Sequence, residues 1–388
     1  MKTLPDNPSL DHLRQQAKDL LCGLRDTDPA VTLAQAQVSL SQQYGFRSWA
    51  DLKAEVDRLQ GLADVADAAV ARGVAERFGL GGVTGEMRSV ARADHLGRLW
   101  SLTTERGRWA ARDLGEYWQP IVDPETEAAL QEAAFAAGVL LPLPVRSPDG
   151  RIVESIDGRR WRVCHWRHSG PPLAAPAGTQ VMRVVGEIMA IVHGLDLPVD
   201  RVSPWHAYRF RDVPWEEMAA TARARGASWA DALTAAIPEL VALEAIGEGA
   251  PDPRPRLCHN ALGPGFVRHG GNGRLVVTGW EHAGGQSPGW ELCGALMSWA
   301  LGPAGARALF EGYRAKAGHL PELDMSMFRG EVTALVNYLT GQLGLALDAP
   351  DDRFLERNAQ HLLANLPKRS TLERLLEASY FFLPPVHM

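Results

Sequence analysis

The chain has 388 residues, of which 46% are hydrophobic and 22% are charged, and its formal net charge is −6 at pH 7. This composition is typical of a globular protein of two or three domains that can bury its own core. The acidic balance argues against nucleic acid or an anionic membrane surface as the main partner. No apolar run approaches the ~18 residues of a membrane span, and no signal-peptide core is present, so we expect a cytoplasmic protein.

The four cysteines, Cys22, Cys164, Cys258 and Cys293, are widely scattered. They form no CxxC pair and no Cys/His spacing that is typical of a metal site. The sequence therefore predicts free thiols and no bound metal.

Residues 9–60 predict three short amphipathic helices. Leucines recur at helical spacing behind Ser9, and Thr32 followed by Gln35 is a capping-box pattern. A third helix is expected to begin after Ser48. This segment resembles the small helical segment that precedes ankyrin repeats in some bacterial proteins, although no repeat follows it. The resemblance implies a docking or packing accessory and not a catalytic unit. If it is a docking accessory, we expect it to bind a protein partner through residues 1–60.

Residues 61–168 predict a small β-rich lobe. An Ala/Val-rich helix ends in a glycine cluster at 79–85, which we interpret as a connector because no strand precedes it. Short alternating runs then surround a helix that begins at Pro124. From residue 169 onward the pattern is mainly helical, except for short strands within 256–281. The prediction is an α+β fold of two lobes.

The segment 257–296 carries a specific resemblance. It is similar to the catalytic segment of aminoglycoside phosphotransferases and choline-kinase-like proteins, which runs roughly His-Gly-Asp-Leu-His-Pro-Gly-Asn, a hairpin, Ile-Asp-Trp-Glu, then Asp-Pro and a helix with an early Asp. Glu291 stands at the position of that last Asp. The retained residues are His259, Leu262, Pro264, Gly265, Trp280, Glu281, Pro288 and Leu292.

Weaker similarity extends over residues 65–388. Arg112 stands at the position of the ATP-binding lysine, Glu127 at that of the helix glutamate which orients it, and 192–195 resembles the end of the first large helix. The resemblance implies a two-lobed protein-kinase-like fold with an extra N-terminal helical module. The expected domains are 1–60, a β-rich lobe at 61–168 and a helical lobe at 169–388.

Three residues of this chain differ from the catalytic motif of the family that it resembles. Ala261, Phe266 and Gly279 stand where the family has its catalytic Asp, its metal-binding Asn and its metal-binding Asp. A methyl group cannot accept a proton, and a positioned base contributes roughly 10²–10⁴ in rate. Magnesium requires oxygen ligands. The phosphate-covering loop (ADHLGRL) also has a single glycine, Gly97. We therefore expect a degenerate site with no ATP, metal or other cofactor.

The function could then take three forms. In the first, a repurposed cleft binds a small organic metabolite in bacterial specialised metabolism. Such a cleft could bind without reaction, or it could support cofactor-independent acid–base chemistry such as cyclisation, isomerisation or elimination. The second is a non-catalytic, pseudokinase-like binding or scaffold protein. The third is ATP-dependent phosphotransfer to a small molecule through other ligands. Whether the chain is an enzyme stays open.

If the cleft binds and converts a metabolite, certain side chains are candidates for catalysis and for substrate binding. The candidate catalytic residues are His259, Asn260, Glu281 and His282. The candidate substrate-binding residues are His165, Trp166, Trp205 and Trp280. For the twelve tryptophans an alternative is that they mainly fill the core.

Overall fold

The computed structural model describes residues 4, 8–25, 30–46, 48–59, 64–90, 97–115, 119–199, 201–248, 255–321, 323–350 and 352–378. The chain forms two compact units. The first comprises residues 1–174 and 261–282, and the second comprises residues 175–260 and 283–388. Among the residues that the structure describes, no helix combines the length and apolar character needed to cross a membrane.

The first unit begins with the three expected helices, α1 (Leu10–Arg25), α2 (Leu33–Gln43) and α3 (Trp49–Leu59). The capping box is confirmed, because the Thr32 side chain accepts from the Gln35 amide while the Gln35 side chain accepts from the Thr32 amide. These helices enclose a small core of their own. Its buried members are Leu13, Ala17, Leu40, Tyr44, Leu52 and Val56.

A six-stranded antiparallel sheet follows. Its strands are β1 (Arg88–Ser89), β2 (Gly97–Thr104), β3 (Gly107–Leu114), β4 (Pro144–Val145), β5 (Val153–Ile156) and β6 (Arg159–His165). The order is β1-β2-β3-β6-β4, and β5 also pairs with β6. Two helices accompany the sheet, α4 (Ala68–Arg77) and α5 (Pro124–Ala136).

Side-chain alternation gives this sheet two different faces. On β3 and β6, the residues Trp109, Ala111, Trp161 and Val163 belong to an apolar core that α4 completes. The intervening residues point to the opposite face, since successive side chains in a strand alternate. That second face carries arginines, and it becomes the candidate site.

A short hairpin belongs to the same unit. Strands β8 (Val267–His269) and β9 (Leu275–Val277) pair as expected around the glycine-rich turn. The Val277 amide donates to the Leu140 carbonyl at 2.8 Å, which ties the hairpin to the segment after α5. The sequence prediction assigned this hairpin to the 169–388 lobe, whereas in the structure residues 261–282 group with the sheet.

The second unit is mainly helical. It contains α6 (Thr179–Gly194), α7 (Pro204–Ala207), α8 (Trp215–Ala224), α9 (Ala230–Gly247), α10 (Pro288–Ser298), α11 (Pro303–Ala317), α12 (Arg329–Asp348), α13 (Arg353–Ala364) and α14 (Arg369–Glu377), with the strand pair β7 (Arg256–Cys258) and β10 (Gly284–Gln286). Glycines let α6 and α11 approach closely. A Cβ at Gly186 would lie 2.1 Å from the Leu309 carbonyl oxygen, and one at Gly312 would lie 1.9 Å from that of Arg183.

Most described tryptophans fill the interior, which agrees with the core-filling alternative. The buried ones are Trp100, Trp109, Trp161, Trp215, Trp229, Trp280, Trp290 and Trp299. The glycine cluster after α4 is a connector in which Gly79 and Gly81 adopt positive φ. The predicted phosphate-covering loop spans residues 93–99, of which 93–96 lie outside the described residues.

Candidate functional site

Two arginines on the second face of the sheet and two glutamates from outside the sheet form a cluster of charged side chains. Arg112 on β3 lies directly opposite Arg162 on β6 in the antiparallel register. Arg162 forms a buried ion pair with Glu127 of α5, with Nη1 2.8 Å from Oε1. The fourth member is Glu281, in the short 3-10 helix Trp280–His282 that follows β9. Two cations and two anions therefore meet within the first unit.

The electrostatics of the cluster hold Glu281 in its charged form. Burial alone would raise the pKa of Glu281. The charge of Arg112, a hydrogen bond from the backbone of Glu281 itself and the charges of His282 and Arg162 together outweigh burial and lower the pKa. For Glu127, burial is the larger effect and raises its pKa despite the pairing with Arg162. An ionised carboxylate with a lowered pKa is a weak proton acceptor and cannot act as an acid near pH 7.

Gly279 and Phe266, which stand at the two metal-ligand positions of the resemblance, contact each other. Gly279 has φ +84°, and a Cβ placed there would lie 2.4 Å from Cδ1 of Phe266. The ring of Phe266 also lies 5.0 Å from that of His282, measured between centroids. An aromatic ring thus occupies the space into which a side chain at 279 would project. The residues present do not fit a magnesium ion, which requires oxygen ligands.

A separate buried polar network lies in the second unit. Glu291 of α10 accepts from the Asn260 amide at 2.6 Å through Oε1, and its Oε2 lies 2.7 Å from Nε2 of His193. Nδ1 of His193 lies 3.0 Å from the hydroxyl of Tyr313. Burial opposes the charge of Glu291, but the hydrogen bond and charge of His193 outweigh it and lower the pKa of Glu291.

The candidate residues fall into both units. Glu281 and His282 lie in the first unit with His165, Trp166 and Trp280, whereas His259, Asn260 and Trp205 lie in the second. The structure thus brings Glu281 together with Arg112 and Glu127. These two residues stand at the positions of the ATP-binding lysine and its helix glutamate in the family that the sequence resembles. His259 is completely buried, and Asn260 adopts positive φ beside it.

The tryptophan candidates differ in exposure. Trp280 is only 2% exposed and donates its indole N–H to the Val277 carbonyl, so it fills the core and does not line an open surface. The substrate-binding role predicted for Trp280 stays a prediction. Trp205 is 42% exposed on α7, where its ring contacts that of Phe210.

His165 and Trp166 lie at the end of β6. The ring of His165 packs 4.9 Å from that of Trp109, and the guanidinium of Arg108 stacks 3.9 Å from the Trp166 ring. Partial burial, assisted by the charge of Arg167, lowers the pKa of His165, so this imidazole is neutral at pH 7.

Sequence reasoning missed Arg162 as the ion-pair partner of Glu127. The resemblance pointed to Arg112, which acts on Glu127 through its charge. A signal was present in the run RRWRVCHW, because alternation places Arg160, Arg162 and Cys164 on one face of the strand.

Solved structures of kinases share this architecture. A spectinomycin phosphotransferase in complex with ADP and spectinomycin has a TM-score of 0.54 at 12% identity, covering 76% of this chain and 93% of that one. A putative aminoglycoside phosphotransferase from Ralstonia eutropha has a TM-score of 0.51 at 13% identity, covering 81% and 99%. An amicoumacin kinase in complex with AMP-PNP and Ca²⁺ has a TM-score of 0.50 at 14% identity, covering 77% and 93%.

The protein therefore has the α+β, kinase-like fold of the aminoglycoside phosphotransferases, which confirms the fold that the motif at 257–296 implied. No protein-family model matches the sequence, and no curated protein matches it either.

Proposed function

We propose that this protein uses an aminoglycoside-phosphotransferase fold to bind a small organic molecule, and that it does not transfer phosphate from magnesium–ATP. The observation that carries the proposal is the contact between Phe266 and Gly279. A phosphotransferase of this fold gathers its metal ions with oxygen ligands at these positions, and here an aromatic ring packs against a residue without a side chain.

The charges around the cluster support the same conclusion. Glu281 is an ionised carboxylate next to Arg112, whose charge lowers its pKa. A triphosphate without its metal ions carries several negative charges, and this carboxylate opposes its approach to the arginines. The cluster thus favours a ligand with little net charge over a nucleotide.

The proton-transfer chemistry of the degenerate site is also limited. Ala261 offers no base, and the lowered pKa of Glu281 makes that carboxylate a poor proton acceptor. Binding without phosphotransfer is therefore the function that the geometry supports best.

Calorimetry on the full-length protein tests the first half of the proposal. We expect no magnesium-dependent binding of ATP at micromolar concentration and no magnesium-dependent ATP hydrolysis. Either signal would overturn the proposal. Glu281→Gln is the variant to compare with wild type, because Glu281 is the carboxylate nearest in sequence to Gly279 and could replace the missing metal ligand there. A phosphotransfer activity that disappears in Glu281→Gln would show that this residue has taken over the metal.

Thermal-shift measurements test the second half. Spectinomycin is the first probe, since it is bound by a protein of the same fold. A set of weakly charged metabolites follows, each measured in EDTA. We expect at least one to stabilise the protein without any metal. Stabilisation by ADP that requires magnesium, with none by the metabolites, would contradict the binding proposal.

A further inference from the structure

Three side chains of metal-binding chemistry converge in the core of the second unit. They are His193 at the end of α6, Cys258 at the end of β7 and Glu291 in the first turn of α10. One ligand atom from each, the imidazole nitrogen, the thiol sulfur and a carboxylate oxygen, lies within 4.8 Å of the other two. All three side chains are buried. They are 33 to 98 residues apart in sequence, so no spacing motif reveals them.

We propose that His193, Cys258 and Glu291 form a binding site for a zinc ion. Zinc prefers this mixture of nitrogen, sulfur and oxygen ligands, at about 2.0–2.3 Å from the ion. Ligand atoms in a tetrahedral zinc site are roughly 3.3–3.6 Å apart, as follows from those bond lengths. His193 Nε2 and Glu291 Oε2, now 2.7 Å apart, need to separate by less than about 1 Å. Three protein ligands leave the fourth position for water.

The surroundings of the three ligands match those of a metal site. The second imidazole nitrogen of His193 contacts the Tyr313 hydroxyl, and the second oxygen of Glu291 accepts from the Asn260 amide. Partners of this kind orient the side chains that bind the ion in known metal sites.

The charges balance when zinc binds. The metal displaces the proton of the Cys258 thiol, which leaves to solvent, and no oxidation or reduction is involved. His193 binds through Nε2, so the proton with which Nε2 now donates to Glu291 also has to leave that nitrogen. The neutral imidazole then carries its one proton on Nδ1, from which it donates to the Tyr313 oxygen. One thiolate, one carboxylate and a divalent ion give a site of zero net charge. Neutrality is what a buried site of low dielectric requires.

The test measures the metal content of the full-length protein. After expression with zinc and dialysis to remove loosely bound ions, we expect about one zinc ion per chain. Replacing zinc with cobalt should produce a thiolate-to-cobalt charge-transfer band, which reports the sulfur ligand directly. In Cys258→Ser we expect zinc content to fall at least tenfold and the cobalt band to vanish.

Cys293→Ser is the matched control. Cys293 is also a buried free thiol of the same unit, but it is not a member of the cluster. This variant should keep both the zinc and the cobalt band. A wild-type protein that holds no zinc and shows no cobalt band would overturn the proposal and leave a hydrogen-bonded network only. Equal loss of metal in both variants would also overturn it. If Cys258→Ser fails to fold, the wild-type cobalt spectrum still decides. None of these outcomes depends on whether the protein binds ATP.

Discussion

Arg162 and Glu127 form an ion pair 2.8 Å long in which both side chains are more than nine-tenths buried. A buried ion pair is costly to break from one side, because the remaining charge is left without a partner. We expect Arg162→Met to lower the free energy of unfolding by about 3–5 kcal/mol. The double variant with Glu127→Gln should recover part of that loss, because no charge is then stranded.

The control for this prediction is Arg159→Ala. Arg159 pairs with Asp113 at the same distance, 2.8 Å, but its side chain is 69% exposed. An exposed pair contributes at most about 1 kcal/mol. Urea denaturation of the variants measures the differences, and equal losses for Arg162→Met and Arg159→Ala would show that burial does not govern the pair.

A side chain at 279 should be destabilising because of the Phe266 ring. In Gly279→Ala the new methyl group meets that ring in addition to the strain of positive φ, for a total of about 2–4 kcal/mol. Gly273 has a similar φ of +72° with nothing within 4 Å of a Cβ. Gly273→Ala should therefore cost only the backbone strain, about 1–2 kcal/mol.

The same experiment in a Phe266→Ala background isolates the ring. Removing it should make the alanine at 279 less costly, with a coupling energy of about 0.5–3 kcal/mol between the two sites. Additive effects would mean that the ring does not occupy the space at 279.

Asn337 should hold in place the exposed aromatic segment 205–210, which begins in α7 and continues beyond it. Its amide nitrogen donates to the carbonyls of Trp205 and Tyr208, at 3.1 and 2.8 Å, and its oxygen accepts from the Phe210 amide at 3.0 Å. Asn337→Ala leaves these backbone groups without a partner, so we expect a loss of about 1–3 kcal/mol.

Hydrogen exchange gives a local measurement of the same effect. The amide of Phe210 should exchange faster in Asn337→Ala than in the wild type. Asn358→Ala is the comparison, since Asn358 donates only to a half-exposed side chain, that of Gln342. Unchanged exchange at Phe210 would contradict the role of Asn337.

Glu331 should make stability depend on pH. Burial, together with the charge of Glu291, raises the pKa of Glu331 to about 7 from an ordinary value of 4.5. Between these values the folded protein keeps a proton that the unfolded chain has lost. The free energy of unfolding therefore falls as pH rises from 4.5 to 7, by up to about 3 kcal/mol, since one pKa unit corresponds to about 1.4 kcal/mol.

Glu331→Gln removes this effect, because glutamine does not ionise. Unfolding measured in EDTA should show a variant that is more stable than wild type at pH 8 and equal to it at pH 4. Glu216→Gln, on the exposed side of α8, is the control and should keep the wild-type pH dependence. The same slope in wild type and Glu331→Gln would show that another group is responsible.

Local patterns in the sequence determined many elements of the fold. Periodicity and end signals depend only on neighbouring residues, so they can be read from the sequence. They predicted the three N-terminal helices, the strands β2, β3 and β6, the β8–β9 hairpin and the helices α5, α6 and α12. The motif at 257–296 implied the kinase-like fold, since its retained residues keep their order and spacing. The three substitutions at 261, 266 and 279 could also be read directly.

Other features depended on contacts that no local pattern encodes. Each of them depends on residues from separate elements of the fold. They are the pairing of Glu127 with Arg162, the burial of Trp280, the contact of Phe266 with the space at Gly279, and the cluster of His193, Cys258 and Glu291. Periodicity tells which face of an element is apolar, but it does not tell which side chain of another element lies against that face. Only the packing of the folded chain decides such neighbours, and with them the charge, the burial and the ligand chemistry of each site.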